Sequence, residues 1–293
     1  MYNLGYLGLY KNIPKKRMFN PTPDYERDSY TLLQYKSHLR NEFLIPLKAN
    51  GDGSGVATIR LQSLETQSVK ITGNGKFYTD ASGATELGIE STIETTLGYL
   101  YVKVPAGESC YLVCGKANKL SGLGSLYINV IADGANIPYI NYCAINYPLI
   151  NLSTIRIGTV LNSSFTGSIN NTPNLTVLLL SNNLLSAFTG DIGKIVKCNY
   201  LRADGNVKFT FTYVTRRSNW TSGYNVLWIS CASMTPIMVD NLLIDLDKSG
   251  VTPTGEKYIR LDGLCGAVTS ASAAARTSLV NKGYTVIVNT QGE

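Results

Sequence analysis

The chain has 293 residues, 44% of them hydrophobic, and a mean hydropathy of +0.01, so it carries enough apolar material for two domains with buried cores. Its net charge of +6 comes from 26 Lys and Arg against 20 Asp and Glu, but charged residues make up only 16% of the chain, too dilute to argue for nucleic acid as a partner. No apolar run approaches about 18 residues, and no cationic segment leads into an apolar core with a small-residue cleavage site, so neither membrane insertion nor ordinary export is expected.

Residues 1–43 open with Gly5, Gly8, Pro14, Pro21 and Pro23, which predict an extended arm with no core of its own. Positive charge gathers there: Lys11, Lys15, Lys16 and Arg17 all precede the first acid, Asp24. These four are candidates for anchoring the chain to an anionic partner, and a solvated tail is the alternative. The stretch PTPDYERDSYTLLQYKSHLRNEF then predicts a short helix from Asp28 to Phe43, which carries His38, the single histidine. A serine or cysteine hydrolase needs a base beside its nucleophile, and His38 in this Tyr- and Lys-rich setting reads as a surface residue.

From residue 44 to 133 the pattern changes to strands: FLIPLKA, GVATIRLQS, SVKITGNGKFYT, GYLYVKVPA, CYLVCGKA and SLYINVIA, separated by Gly, Asn, Asp and Ser clusters. An all-β, sandwich-like domain is expected. GDGSG at 51–55 holds one carboxylate and lacks a strand-loop-helix context, so it predicts a hairpin turn and not a calcium or phosphate loop. Cys110 and Cys114 lie on one face of a strand, roughly 13 Å apart, too far for a disulfide. All six cysteines (110, 114, 143, 198, 231, 265) sit among apolar neighbours and read as buried, reduced thiols, with no metal or cofactor implied.

Residues 134–293 repeat themselves. The stretch NLTVLLLSNNLLSAFTGDI places Leu175, Leu178, Leu180 and Asn183 at a spacing that fits neither a lone strand nor a helix. Shifted back by 23 residues it falls on Leu152, Ile155 and Ile157, with Val160 where the pattern has Asn; shifted forward it falls on Cys198, Leu201, Ala203 and Asn206. The triplet Phe-Thr-Gly keeps the same stride, at 165 and 188. Later units lengthen but keep a short strand: Leu227 and Ile229, Ile259 and Leu261, Val286 and Val288. Between them a helix is predicted with Thr235 as N-cap, Pro236 at its first position, Val239, Leu242, Leu243 and Leu246 on one face and Gly250 as terminator. TSASAAARTSLVNKG repeats the device, with Ala275 and Leu279 inward and Gly283 as the stop.

The spacing L-x-x-L-x-L-x-x-N, met in full by Leu175, Leu178, Leu180 and Asn183, resembles the leucine-rich repeat over roughly the C-terminal half, and the FTGxI turns look like convex-side loops of one subclass. The resemblance implies an α+β chain ending in a short leucine-rich-repeat-like solenoid of parallel strands and helices, with the asparagines turned inward onto backbone groups. On the concave face of such a sheet the central outward position reads, strand by strand, Arg156, Leu179, Arg202, Trp228, Arg260 and Ile287, flanked by Val177, Tyr200, Val226 and Tyr258. An Arg-Trp-Arg row at strand spacing can stack guanidinium on indole. It is expected to recognise glycan or protein, or else to stack on itself or pack against another subunit.

Catalytic signatures do not emerge. Asp240, Asp245 and Asp247 form the densest acidic group, and their place on the predicted helix reads as its solvated side and not as a pair for glycoside hydrolysis. Phosphate-loop and dinucleotide motifs are missing from the sequence. The C-terminal stretch VDNLLIDLDKSG…KYIRLDGLCGAVTSASAAARTSLVNKGYTVIVN resembles leucine-rich-repeat-like virion proteins of tailed phages that infect gut Bacteroides. That resemblance implies a non-catalytic head or tail fibre or decoration protein, a homotrimer located in the virion and assembled in the host cytoplasm. Its arm would grip other virion proteins and its distal domain would meet host glycan or protein. The alternative is a bacterial cell-surface leucine-rich-repeat adhesin, which should begin with an export signal where this chain reads MYNLGYLGLYKNIPKKRM.

Overall fold

The computed structural model describes residues 25–125, 136–157, 164–180, 187–205, 208–217, 220, 223–250 and 254–290. It is a mixed α/β chain made mostly of strands, in three sheets, with three α-helices among the described residues. Lys11, Lys15, Lys16 and Arg17, and with them the expected arm, lie outside the described residues.

Helix α1 runs Tyr25–Leu39, three residues earlier at its start and four at its end than the sequence predicts. Asn41 takes φ 59 and turns the chain directly into a strand, which closes the helix before Phe43. The buried face of α1 is polar: Tyr30, Gln34 and Ser37 are all buried. Burial is tolerated because the groups are paired, with Tyr30 Oη donating to the Leu44 carbonyl at 3.1 Å and Gln34 Nε2 donating to the Ala144 carbonyl. His38 is exposed and stacks on Tyr147, 4.2 Å between ring centroids.

Two antiparallel sheets follow. Strands β1 (Phe43–Lys48), β3 (Gln67–Gly73), β6 (Glu90–Ile93), β8 (Ser109–Cys114) and β10 (Tyr139–Ile140) form a five-stranded sheet in the order β10-β1-β8-β3-β6. Strands β2 (Ala57–Ser63), β4 (Lys76–Tyr78), β5 (Glu86–Gly88), β7 (Gly98–Lys103) and β9 (Leu120–Ser125) pair in the order β9-β2-β7-β4-β5. Alternation explains the packing: Ala57, Ile59, Leu61 and Ser63 of β2 are buried while the residues between them are half-exposed. Ile59, Leu61, Leu100 and Val102 of one sheet share a core with Val69, Ile71, Cys110 and Leu112 of the other. GDGSG is not the expected hairpin turn, because β1 pairs with β8 and β10 and β2 with β7 and β9. Gly51 and Gly53, at φ 53 and 66, instead carry the chain from one sheet to the other. Most of SLYINVIA lies outside the described residues.

Strand β9 is the joint of the molecule. On one side it pairs antiparallel with β2, and on the other it pairs parallel with β12 (Thr154–Ile157). Beyond β12 the sheet continues through β14 (Val177–Leu179), β16 (Tyr200–Ala203), β18 (Val226–Ile229), β19 (Tyr258–Leu261) and β20 (Thr285–Val288), all parallel, for eleven strands in total. The junction expected at residues 133/134 falls outside the described residues, and one core runs through both halves. In register across the strands stand Leu123, Ile155, Leu178, Leu201, Leu227, Ile259 and Val286. The first six are at most 2% exposed, so this column is the spine of the core.

The Phe-Thr-Gly triplets are not loops. They lie in a second, four-stranded parallel sheet of β11 (Cys143–Ile145), β13 (Phe165–Ser168), β15 (Ala187–Asp191) and β17 (Thr210–Thr212). Phe165 and Phe188 stack there with rings 5.5 Å apart. Gly190, at φ 130, faces Phe211 across the strands, and a Cβ there would come within 2.6 Å of Ile169. That close approach is the physical reason for glycine in the triplet. Asn183 and Asn206 lie outside the described residues. Neighbouring units are tied by hydroxyls: Ser153 Oγ donates to the Ser121 carbonyl and Thr176 Oγ1 to the Ser153 carbonyl, both at 2.9 Å.

Further along, helices take the place of the second sheet. Helix α2 (Pro236–Ser249) starts where Thr235 accepts from the Met238 N–H and stops at left-handed Gly250, as its sequence predicts. Helix α3 (Ala273–Asn281) buries Ala275 and Leu279 and ends ahead of Gly283, at φ 88. The acidic group on α2 corrects the solvated-side expectation, since Asp240 and Asp245 are each only 4% exposed. One apolar face cannot reveal that α2 is flanked on both sides. Toward α3, Asp240 accepts from the Thr269 N–H at 3.1 Å and from the Thr269 and Ser272 hydroxyls. Toward the preceding unit, Asp245 accepts a bidentate pair from Arg216 at 2.7 and 2.6 Å, and also from Tyr213 Oη at 2.9 Å. Asp191 does the same work one unit earlier, accepting from the Gly193, Val214 and Thr215 N–H groups. Asp247 pairs with Lys282 of the last unit at 2.6 Å.

Two expectations follow. Leu178→Ala, at the centre of the buried column, should lower unfolding stability by about 2–5 kcal/mol in urea titration. Burial by itself would raise the Asp245 carboxyl, but the hydrogen bonds from Arg216 and Tyr213 outweigh it and hold it below the usual carboxylate value. Its contribution is therefore complete above the unfolded carboxyl value of about 4 and is lost as pH falls through the lower folded value. Asp245→Asn should destabilise at pH 7 and flatten the acid limb of a melting-temperature profile; an unchanged acid limb would remove Asp245 from this role.

Candidate functional site: an arginine and aromatic row on the long sheet

The outward positions of the long sheet line up as regularly as the inward ones, because side chains alternate along every strand and the strands are in register. Arg156, Leu179, Arg202, Trp228, Arg260 and Ile287 are mutual register partners along β12, β14, β16, β18, β19 and β20. Two residues earlier on each strand, and so on the same face, runs the flanking row Thr154, Val177, Tyr200, Val226, Tyr258 and Thr285, of which Val226 is buried, Thr285 exposed and the others half-buried.

Trp228 is clasped between two guanidinium groups. The Arg202 Cζ lies 4.2 Å from the Trp228 ring centroid and the Arg260 Cζ 4.5 Å. Tyr258 meets the indole edge-on, with centroids 6.0 Å apart. Each arginine is also held by an aspartate two residues on: Arg202 Nε donates to Asp204 at 3.1 Å and Arg260 Nε to Asp262 at 2.7 Å. The Asp262 hydrogen bond, seconded by one to Tyr258, raises Arg260 above its ordinary value. Arg-x-Asp recurs in β16 and β19 because the strand carries the arginine outward and the aspartate follows on the same side at its exit. The stack is thus internally neutralised and held in place by its own residues.

The other expected members differ. Arg156 is exposed. Leu179 is only 7% exposed, which corrects its expected role as an open contact residue. Arginines stand on both neighbouring strands, and their aliphatic stems can cover a leucine between them. Tyr200 is half-buried, two residues before Arg202 on the same face of β16. Two further residues of this face escape a repeat-based reading: the row continues past β9 to Arg60 on β2 and Tyr99 on β7. Arg60 Cζ lies 5.1 Å from the Tyr99 ring centroid. Alternation alone would point Arg60 outward, but the pairing of β2 with a strand some sixty residues later has no local signal.

All six cysteines are buried, and burial pushes the Cys110, Cys114 and Cys198 thiols up to about 12. Such thiols pack as small apolar side chains and are poor nucleophiles at neutral pH. Among the described residues no three His, Cys, Asp or Glu side chains are grouped to hold a metal ion, and no helix is long and apolar enough to cross a membrane.

Because Trp228 faces outward and Leu227 inward, their truncations should part company. Leu227→Ala should cost about 2–5 kcal/mol of stability, whereas Trp228→Ala should cost less and leave the circular dichroism unchanged. Equal losses in chemical unfolding would mean the indole is part of the core. A scan against protein-family models and searches of curated proteins and of solved structures return no match.

Proposed function

We propose that the protein is a non-catalytic structural and binding protein whose parallel units form a leucine-rich-repeat-like solenoid following a sandwich-like domain, with the face of the long sheet as its contact surface. The observation that carries this reading is the ordered Arg202-Trp228-Arg260 stack, set in register on a face where the flanking Tyr200 and Tyr258 are half-exposed. Tryptophan and arginine are the side chains that dominate binding energy at protein surfaces, and a pre-stacked pair loses little freedom when a partner arrives.

The resemblance of the C-terminal half to virion proteins of tailed phages supplies the setting. In that setting the chain is a head or tail fibre or decoration component, a homotrimer, located in the virion and held to other virion proteins through Lys11, Lys15, Lys16 and Arg17. Its partners are proteins or host-surface glycans, met through Arg156, Tyr200, Arg202, Trp228, Tyr258 and Arg260; neither nucleic acid nor membrane is part of this reading.

Mass and symmetry in solution test it. A stable trimer by light scattering is expected, and deleting residues 1–25 should leave the fold intact while abolishing attachment to the particle. Attachment that survives the deletion would overturn the anchoring role, and a monomer that binds glycans would favour the cell-surface adhesin instead.

A further inference from the structure

Four arginines share the outward row of the long sheet, and they fall into two classes. Arg202 and Arg260 are each paired with an aspartate and stacked on Trp228. Arg60 and Arg156 make no ion pair among the described residues. In Arg202 and Arg260 the Nε donates to a carboxylate, but in Arg60 the same nitrogen is buried with no acceptor, an uncommon state for a buried donor. The residue two places after Arg60 is Gln62 and after Arg156 is Gly158, so the neutralising aspartate of the other two strands is missing from the sequence itself.

Between these two arginines lies a strand that has glycine at both positions in register with their rows. Gly124 of β9 is the register partner of both Arg60 and Arg156, and Gly122 is the partner of both Gln62 and Thr154. Leu123 between them points into the core. The Gln62 side chain lies over Gly122, within 3.4 Å of where a Cβ would stand, so the break in the row of side chains falls at Gly124. The arginine-bearing strands stand about 4.8 Å away on either side of it, so that the two arginine Cα positions are about 10 Å apart. At one margin stand Tyr99 and Tyr101, stacked with centroids 6.4 Å apart, and Arg60 lies over Tyr99.

We infer that the face at this break binds an acidic sugar, a carboxylated or sulfated unit of a glycan chain. Two cations without carboxylates supply the charge for an anionic group, and a guanidinium can hold a carboxylate or sulfate through two hydrogen bonds. Gly124 puts no side chain between them, so both guanidinium groups can reach one anionic group, and the tyrosine faces offer an apolar surface beside the charge. The inference rests on reading this face as the contact surface and adds the class of ligand and the place on the face where it sits, some distance from the self-neutralised tryptophan stack.

The test is calorimetric titration of the full chain with a heparin oligosaccharide and an oligogalacturonate, with a neutral maltooligosaccharide and a short single-stranded DNA as comparisons. One or both acidic oligosaccharides should bind, more weakly at higher salt. Arg60→Gln and Arg156→Gln should each lower affinity at least tenfold, Arg156→Glu should abolish it, and Lys248→Gln, an exposed charge on α2, should leave it unchanged. Arg156 is exposed, so its variants test the site even if Arg60→Gln unfolds the protein. No binding of either acidic oligosaccharide would overturn the inference, as would binding unaffected by the arginine substitutions. DNA bound as tightly, and lost with the same substitutions, would replace the sugar with phosphate. Arg156→Gln should alter neither trimer mass nor particle attachment, so failure here is distinguishable from failure of the structural role.

Discussion

The parallel register of short strands is the constraint on which the structure rests. A strand of three or four residues buries too little to stand alone, and only when Ile155, Leu178, Leu201, Leu227 and Ile259 align across successive strands does each one gain two apolar neighbours in the sheet direction. The same register that makes a core of the inward residues makes a surface of the outward ones. A one-residue slip in any unit would exchange the two, placing arginine in the core and leucine outside. Stability and the composition of the outward face are therefore two consequences of one alignment.

The units are joined on the opposite side by polar groups in buried positions. Asp191, Asp240 and Asp245 each accept several hydrogen bonds from the neighbouring unit, so that backbone N–H groups at the turns find partners. A buried carboxylate is stable only when it is so surrounded, and removing one would strand several donors at once. These contacts are directional where the leucine column is not, and they specify which unit follows which.

Strand β9 converts one half of the protein into the other. Because it pairs antiparallel with β2 and parallel with β12, the outward face continues without interruption from the tyrosine-rich hairpins to the tryptophan stack. Its Gly124 puts no side chain in an otherwise crowded row. The face thus has two regions of different character: a stack whose charges are internally balanced, and a strip flanked by charges that are not.

The 23-residue stride determined much of the C-terminal half: the parallel strands, the inward column, the Arg-Trp-Arg row and the caps of α2 can all be read from periodic spacing, since each depends on residues close in sequence. Other features were settled only in three dimensions. The burial of Asp240 and Asp245 depends on what flanks α2, the strand character of the Phe-Thr-Gly triplets on a second sheet forming beneath the first, and the crossing at GDGSG on which strands β1 and β2 choose as partners. The junction through β9, which brings Arg60 alongside Arg156, belongs with these. Pairing between strands distant in the chain is selected by the total burial it achieves, and no local pattern encodes that sum.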